Sequence, residues 1–214
     1  MRNENMRTIV LASSGKYLTE GDWSFLPKPV EQMKIGYIIT ASKGVKDLSY
    51  LERRKQRMNE LKYDFEEMDI ERKSEQELRG VLKGKEMVYV EGGNTFYLLK
   101  AVRESGFDKA IKELVDDGMV YLGSSAGAYI TCPTIEMATW KHQDKYDHCG
   151  VTDFTAMNLV PFLVTAHYAS EYAELLKEKI RQSQYPVRIL TDDQAILVQN
   201  GSTKLVGKGD EIKL

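Results

Sequence analysis

Residues 119–130 read MVYLGSSAGAYI: an apolar run followed at once by Gly123-Ser124-Ser125-Ala126-Gly127. A solvent-facing turn more often carries Asn, Asp or Pro. Small residues crowded between a strand-like run and a helix-like run predict a sharp bend that something approaches closely. The stretch fits G-x-S-x-G, in which a strained strand-to-helix elbow presents the central serine, here Ser125. A tight packing crossover would use the same residue types, so the pattern needs support from the rest of the chain. Ser124 shares the turn but stands one residue early for the elbow position.

Outward from this point, apolar runs alternate with helical patterns. Strands are expected at residues 8–12, 35–41, 65–70, 87–90, 119–122 and 159–166, with three short ones across 187–213 and a turn at Asn200-Gly201. Helices are expected at 47–63, from the capping box Ser74–Glu77 to near Gly84, at 95–104, 108–117 and 170–183, and starting within 126–130, whereas 133–153 reads as irregular. This alternation predicts an α/β fold, a mostly parallel sheet flanked by helices with antiparallel C-terminal edge strands, forming one domain over 1–214.

Composition narrows the function classes. Thirty basic against 32 acidic residues give a formal charge of −2, which predicts neither a nucleic-acid footprint nor attraction to an anionic membrane. No apolar run approaches a membrane span, and MRNENMRTIV carries no secretory-signal pattern, so a cytoplasmic protein is expected. Cys132 and Cys149 are expected to be reduced thiols, and no Cys/His spacing matches a metal site.

In open α/β sheets, sites form at the carboxyl ends of strands. Ser125 is such a residue, and so are the pair Gly92-Gly93 with Asn94, His167, and Asp192-Asp193. A serine hydroxyl is a weak nucleophile without a base. His167 follows an apolar run and is the best candidate; His142 and His148 lie in the polar stretch KHQDKYDHCG and read as surface residues. The imidazole then needs a carboxylate to fix its tautomer. Asp192 and Asp193 are the leading candidates, with Glu136, Asp144 and Asp153 as others. The Ala126 N–H and a backbone N–H of the Gly92-Gly93 turn could donate to an oxyanion. No Gly-Lys-Ser/Thr follows the glycine pair, so a P-loop is excluded.

Four segments, GGNTFYLL (92–99), YLGSSAGAYITCPTI (121–135), NLVPFLVTAHY (158–168) and LTDDQAILVQNG (190–201), together resemble the aspartyl dipeptidase (peptidase E) family, which includes the cyanophycinases. The resemblance implies a class I glutamine amidotransferase-like fold and a serine peptidase without cofactor. Its substrate would be a short peptide, and the protein a monomer or homodimer. By position it implies Ser125 as nucleophile, His167 as general base, Gly93 and Ala126 as oxyanion donors, and Asp192 where the family has a glutamate. Asn94 could touch substrate, and Asp193 is the alternative acid. A second acid proposed in the family falls on Trp140 here. The family's substrate-binding arginine after the histidine is replaced by YASEYAE (168–174), so strict aspartyl specificity is not expected and an acidic substrate side chain would meet Glu171 or Glu174. An esterase or amidase with the same triad, or a non-catalytic binding domain, are the alternatives.

Overall fold

The structure, a computed structural model, describes residues 6–141 and 147–214. Its strands and helices follow the chain as β1 (Thr8–Ala12), α1 (Lys16–Glu20), β2 (Lys34–Ile38), α2 (Ser49–Glu60), β3 (Asp64–Met68), α3 (Glu75–Leu82), β4 (Met87–Val90), α4 (Thr95–Ser105), α5 (Phe107–Asp116), β5 (Val120–Ser124), α6 (Ala126–Tyr129), β6 (Leu163–Thr165), α7 (Ala173–Gln182), β7 (Val187–Ile189), β8 (Gln194–Gln199) and β9 (Ser202–Gly207).

The central strands are apolar at nearly every position because both sheet faces are covered. Along β1, Ile9 and Leu11 enter one core while Val10 and Ala12 enter the other; Val88 and Val90 of β4 likewise oppose Met87 and Tyr89. The sheet order is β3-β2-β4-β5-β1-β8-β9. The first five strands in that order run parallel, whereas β8 pairs antiparallel with β1, and β9 with β8. The fold class is therefore the one the alternation predicts. Helix boundaries follow their punctuation: the Ser74–Glu77 capping box is closed from both sides, and Gly106 separates α4 from α5 with φ +70°.

One expected element changes place. The run 159–166 does not form an eight-residue strand of the main sheet; only Leu163–Thr165 is extended, and it pairs in parallel with β7 as a separate two-stranded sheet. Pro161 lacks the N–H that a ladder needs, and the Leu159 and Val160 N–H groups both turn to Thr131 O. The expected strand at 35–41 is also shorter: Ile39 leaves the extended region at φ −107°, ψ 5°, and residues Thr40–Gly44 form a 3₁₀ turn.

β5 and α6 meet through two glycines that tolerate no side chain. A Cβ at Gly127 would stand 2.1 Å from Val90 O, and one at Gly123 would stand 2.3 Å from Gly127 O. Gly127→Ala is therefore expected to destabilise the fold by about 1–3 kcal/mol through overpacking, visible as a lowered urea midpoint. An unchanged midpoint would mean that the elbow is looser than described.

Candidate active site

Ser125 sits between β5 and α6 at φ 49°, ψ −109°, a combination that L-residues adopt only when their surroundings impose it. Three restraints do so here. Its N–H donates to Ala12 O at 3.0 Å, and its carbonyl accepts from the Ala128 and Tyr129 N–H groups, both at 2.9 Å. Gly92 closes the remaining side, since a Cβ there would lie 3.2 Å from Ser125 Cβ.

His167 and Asp192 arrive from the small sheet. The β6–β7 register pairs Thr165 with Ile189, and the ladder continues through Leu190 N–H to Thr165 O at 2.9 Å and Tyr168 N–H to Leu190 O at 3.0 Å. Parallel strands place their carboxyl ends side by side, so the residues just beyond them become neighbours. His167 Nδ1 lies 2.6 Å from Asp192 Oδ1, and Nε2 lies 3.1 Å from Ser125 Oγ. With Nδ1–H donating to the carboxylate, Nε2 is left to accept from the serine. The His167 hydrogen bond holds the Asp192 carboxyl below the usual carboxylate range against the opposing effect of burial, with help from Ser13 and Lys16. Both side chains are about half exposed, 51% and 49%, so the pair adds little stability and its effect is orientation.

Ser13, which no sequence motif marks, ties this pair to the main sheet. It is fully buried at the end of β1. Its Oγ accepts the His167 N–H at 2.7 Å and donates to Asp192 Oδ1 at 3.1 Å. His167 takes φ 55°, a left-handed conformation uncommon for residues other than glycine. Ser13 and Tyr129 hold that turn, the latter by accepting the Ala166 N–H at 3.0 Å. The only sequence hint is position: Ser13 lies at a strand end, like the other site residues.

Gly93 has φ +149°, and a Cβ on it would strike Ala41 O at 2.4 Å. Among the described residues, neither the Gly93 N–H nor the Ala126 N–H has an acceptor. Beneath this turn lies a buried carboxylate. Glu91 accepts from Tyr37 OH at 2.8 Å, Ser124 OH at 2.8 Å and Gly92 N–H at 3.0 Å. Ser124 is thereby spent on structure, as its place one residue before the elbow suggests.

The profile of peptidase family S51 matches residues 9–206. The chain belongs to peptidase family S51. It is 33% identical over 181 residues to an uncharacterized peptidase of Pasteurella multocida (strain Pm70), covering 83% of this chain and 86% of that one. It is 35% identical over 175 residues to an uncharacterized peptidase of Listeria monocytogenes serovar 1/2a, covering 82% and 84%. Peptidase E of Escherichia coli O1:K1 matches a shorter stretch, 38% identical over 103 residues, 48% of this chain and 43% of that one. Among solved structures, a candidate peptidase E protein from Listeria monocytogenes EGD-e superposes with a TM-score of 0.79 at 28% identity, covering 95% of this chain and all of that one. The resemblance to peptidase E is thus borne out, and by family the protein is a peptidase.

Within this S51 chain the other expected candidates disperse. Asn94 is 1% exposed, its Oδ1 caps α4 by accepting from Phe96 and Tyr97 N–H, and its Nδ2 donates to Asp147 O at 2.9 Å. Asp193 makes no described side-chain contact with His167; Asp192 alone reaches it. Glu136 accepts from Ser183 Oγ, and Asp153 pairs with Arg103. His148 stacks on Phe96 with ring centroids 4.0 Å apart. His142 and Asp144 fall outside the described residues. Trp140 is buried. Glu171 and Glu174 do not line the cavity of about 360 Å³ that holds Ser125, and Glu174 pairs with Lys177. Among the described residues, the cations on that cavity wall are instead Arg54 and Lys141. No described helix is long and apolar enough to cross a membrane.

Lys141 Nζ donates to Ala166 O and, at 3.4 Å, to His167 O. Burial lowers its pKa to about 8, partly opposed by Asp192. The unfolded chain therefore binds this proton more tightly than the folded one. Stability is expected to rise relative to Lys141→Met as pH climbs through about 8 toward the free-lysine value of about 10.4, and to show no such gain below pH 7. Urea midpoints of both proteins at pH 7 and 9.5 check the sign. Ser13→Ala leaves the His167 N–H unpaired and is expected to cost about 1–3 kcal/mol, well above the cost of Ser14→Ala. Equal midpoints for the two variants would remove Ser13 from the site's framework.

Proposed function

We propose that this S51 chain is a serine peptidase of short peptides, acting through an acyl-enzyme on Ser125. The observation that supports it is the unbroken chain of contacts from Ser125 Oγ to His167 Nε2 at 3.1 Å and from His167 Nδ1 to Asp192 at 2.6 Å. In the proposed reaction, Ser125 Oγ attacks the scissile carbonyl while His167 Nε2 takes its proton. Asp192 stays ionised and stabilises the imidazolium. The negative charge developing on the carbonyl oxygen faces the unspent Gly93 and Ala126 N–H groups. His167 then hands its proton to the leaving amine, and water, deprotonated by the same imidazole, releases the acyl group.

The strained Ser125 backbone favours this role over a plain crossover. A non-Gly residue at φ 49°, ψ −109° costs stability, and a glycine would relieve that strain. The lining of the cavity that holds Ser125 includes Val45, Phe96, Tyr129 and Met137 beside the charged residues. This is a mixed wall that suits neutral side chains, in keeping with a peptidase without strict aspartyl preference.

Ser125→Ala should lower turnover of a cleaved dipeptide by several orders of magnitude, about 10⁴ or more, because nucleophile and base act as a unit. A dipeptide and p-nitroanilide panel read by product mass spectrometry measures this. Undiminished turnover by the variant would reject the scheme. Hydrolysis confined to aryl esters would turn the assignment toward an esterase with the same triad.

A further inference from the structure

Arg54 rises from α2 and lines the cavity that holds Ser125 and His167, with 13% of its side chain exposed. Nη1 donates to Thr19 Oγ1 at 3.3 Å. Nε is buried and has no hydrogen-bond acceptor among the described residues. It lies 3.7 Å from Glu91 Oε2, near enough for charge pairing but too far for a hydrogen bond. Glu91 is already engaged by Tyr37, Ser124 and the Gly92 N–H. A guanidinium carries five donors in one plane, and among the described residues only Nη1 of this one has an acceptor, Thr19 Oγ1. Among the described residues, the cavity's other cation is committed: Lys141 bonds two carbonyls and lies 5.6 Å from the centroid of the Tyr172 ring.

We propose that Arg54 is the subsite for the C-terminal α-carboxylate of a short peptide, an inference that rests on Ser125 being the nucleophile. The planar fork matches a carboxylate in a bidentate pairing. Its place argues for the leaving fragment. A Cβ on Gly15 would stand 2.7 Å from Arg54 Nη2, and two residues earlier Ser13 holds the His167 N–H. The guanidinium and the imidazole both line this cavity. His167 delivers its proton to the leaving amine, so the fragment on the imidazole side is the one that departs, and it ends in the α-carboxylate. A cavity of about 360 Å³ is at the small end of ligand pockets, which limits that fragment to one or two residues. Glu91 keeps the guanidinium in place and compensates it when no peptide is bound.

The test is calorimetry on the Ser125→Ala protein, which cannot form an acyl-enzyme, with dipeptides X-Ala and their C-terminal amides, X being Ala, Leu, Lys, Asn or Asp. The free acid is expected to bind at least about tenfold tighter than the amide. Adding Arg54→Met with Glu91→Gln, which leaves no unpaired buried charge, should bring that ratio to about one. Arg54→Lys, which keeps Glu91 paired but loses the fork, should lower it several-fold, and it decides the question if circular dichroism shows the double replacement unfolded. Equal binding of acid and amide, no binding of any pair, or a ratio indifferent to Arg54 overturns the proposal. So does an Arg54-dependent preference for Asp over Asn at X with no acid–amide difference, which would assign the guanidinium to a side chain. Wild-type protein that binds these acids through Arg54 but cleaves none would sink the peptidase scheme and leave the subsite standing.

Discussion

The candidate site stands on one hydrogen bond across a seam. Ser125 belongs to the main sheet, and His167 and Asp192 to the two-stranded sheet beside it. The His167 N–H reaches Ser13 Oγ at the end of β1, and β1 is also the strand whose Ala12 carbonyl takes the Ser125 N–H. One strand end therefore fixes both halves of the site. That bond, together with the Tyr129 hydroxyl on the Ala166 N–H, maintains the positive φ of His167. Strained backbone persists only where neighbours over-determine it, and here the two strained residues, Ser125 and His167, face each other across the seam.

Beneath the elbow lies a second constraint of a different kind. Glu91 is a carboxylate 3% exposed, which would be costly alone. Two phenols from the neighbouring strands share the load, with Tyr37 and Tyr89 stacked at 5.0 Å. Burial, followed by the charge of Glu91, pushes both phenols far above their ordinary value, so they remain donors. The reward is a fixed Gly92-Gly93 turn, because the carboxylate takes the Gly92 N–H and leaves that of Gly93 unspent. A satisfied buried network of this sort rigidifies what lies above it; above this one lies the candidate oxyanion site.

Most of the fold was legible because its signals are local. Both-face burial makes the central strands apolar throughout, the capping box opens α3, and Gly106 divides two helices. The illegible part follows from Pro161. Pro161 offers no N–H and the Leu159 and Val160 N–H groups turn to Thr131 O, so the strand in the run 159–166 is short, and hydrophobicity does not report with which neighbour a three-residue strand pairs. Of the site, Ser125, His167 and Asp192 could be picked out as polar residues ending apolar runs. Ser13 ends one too, but a serine after a strand is unremarkable until its partners 154 and 179 residues away are known. The bonds of the Asn94 amide, which caps α4 and reaches the Asp147 carbonyl, likewise show only in the structure.

By itself the sequence determined the alternation of strands and helices and the small-residue bend at 123–127 that only a close approach requires, because sterics and hydrophobic periodicity act over a few residues. Which acid meets the imidazole, which serine joins the sheets and which cation enters the cavity were decided only by the tertiary structure. Those choices depend on the β6–β7 register and on the packing of α2 against the strand ends, and contacts between residues so far apart in the chain leave no periodic trace in it.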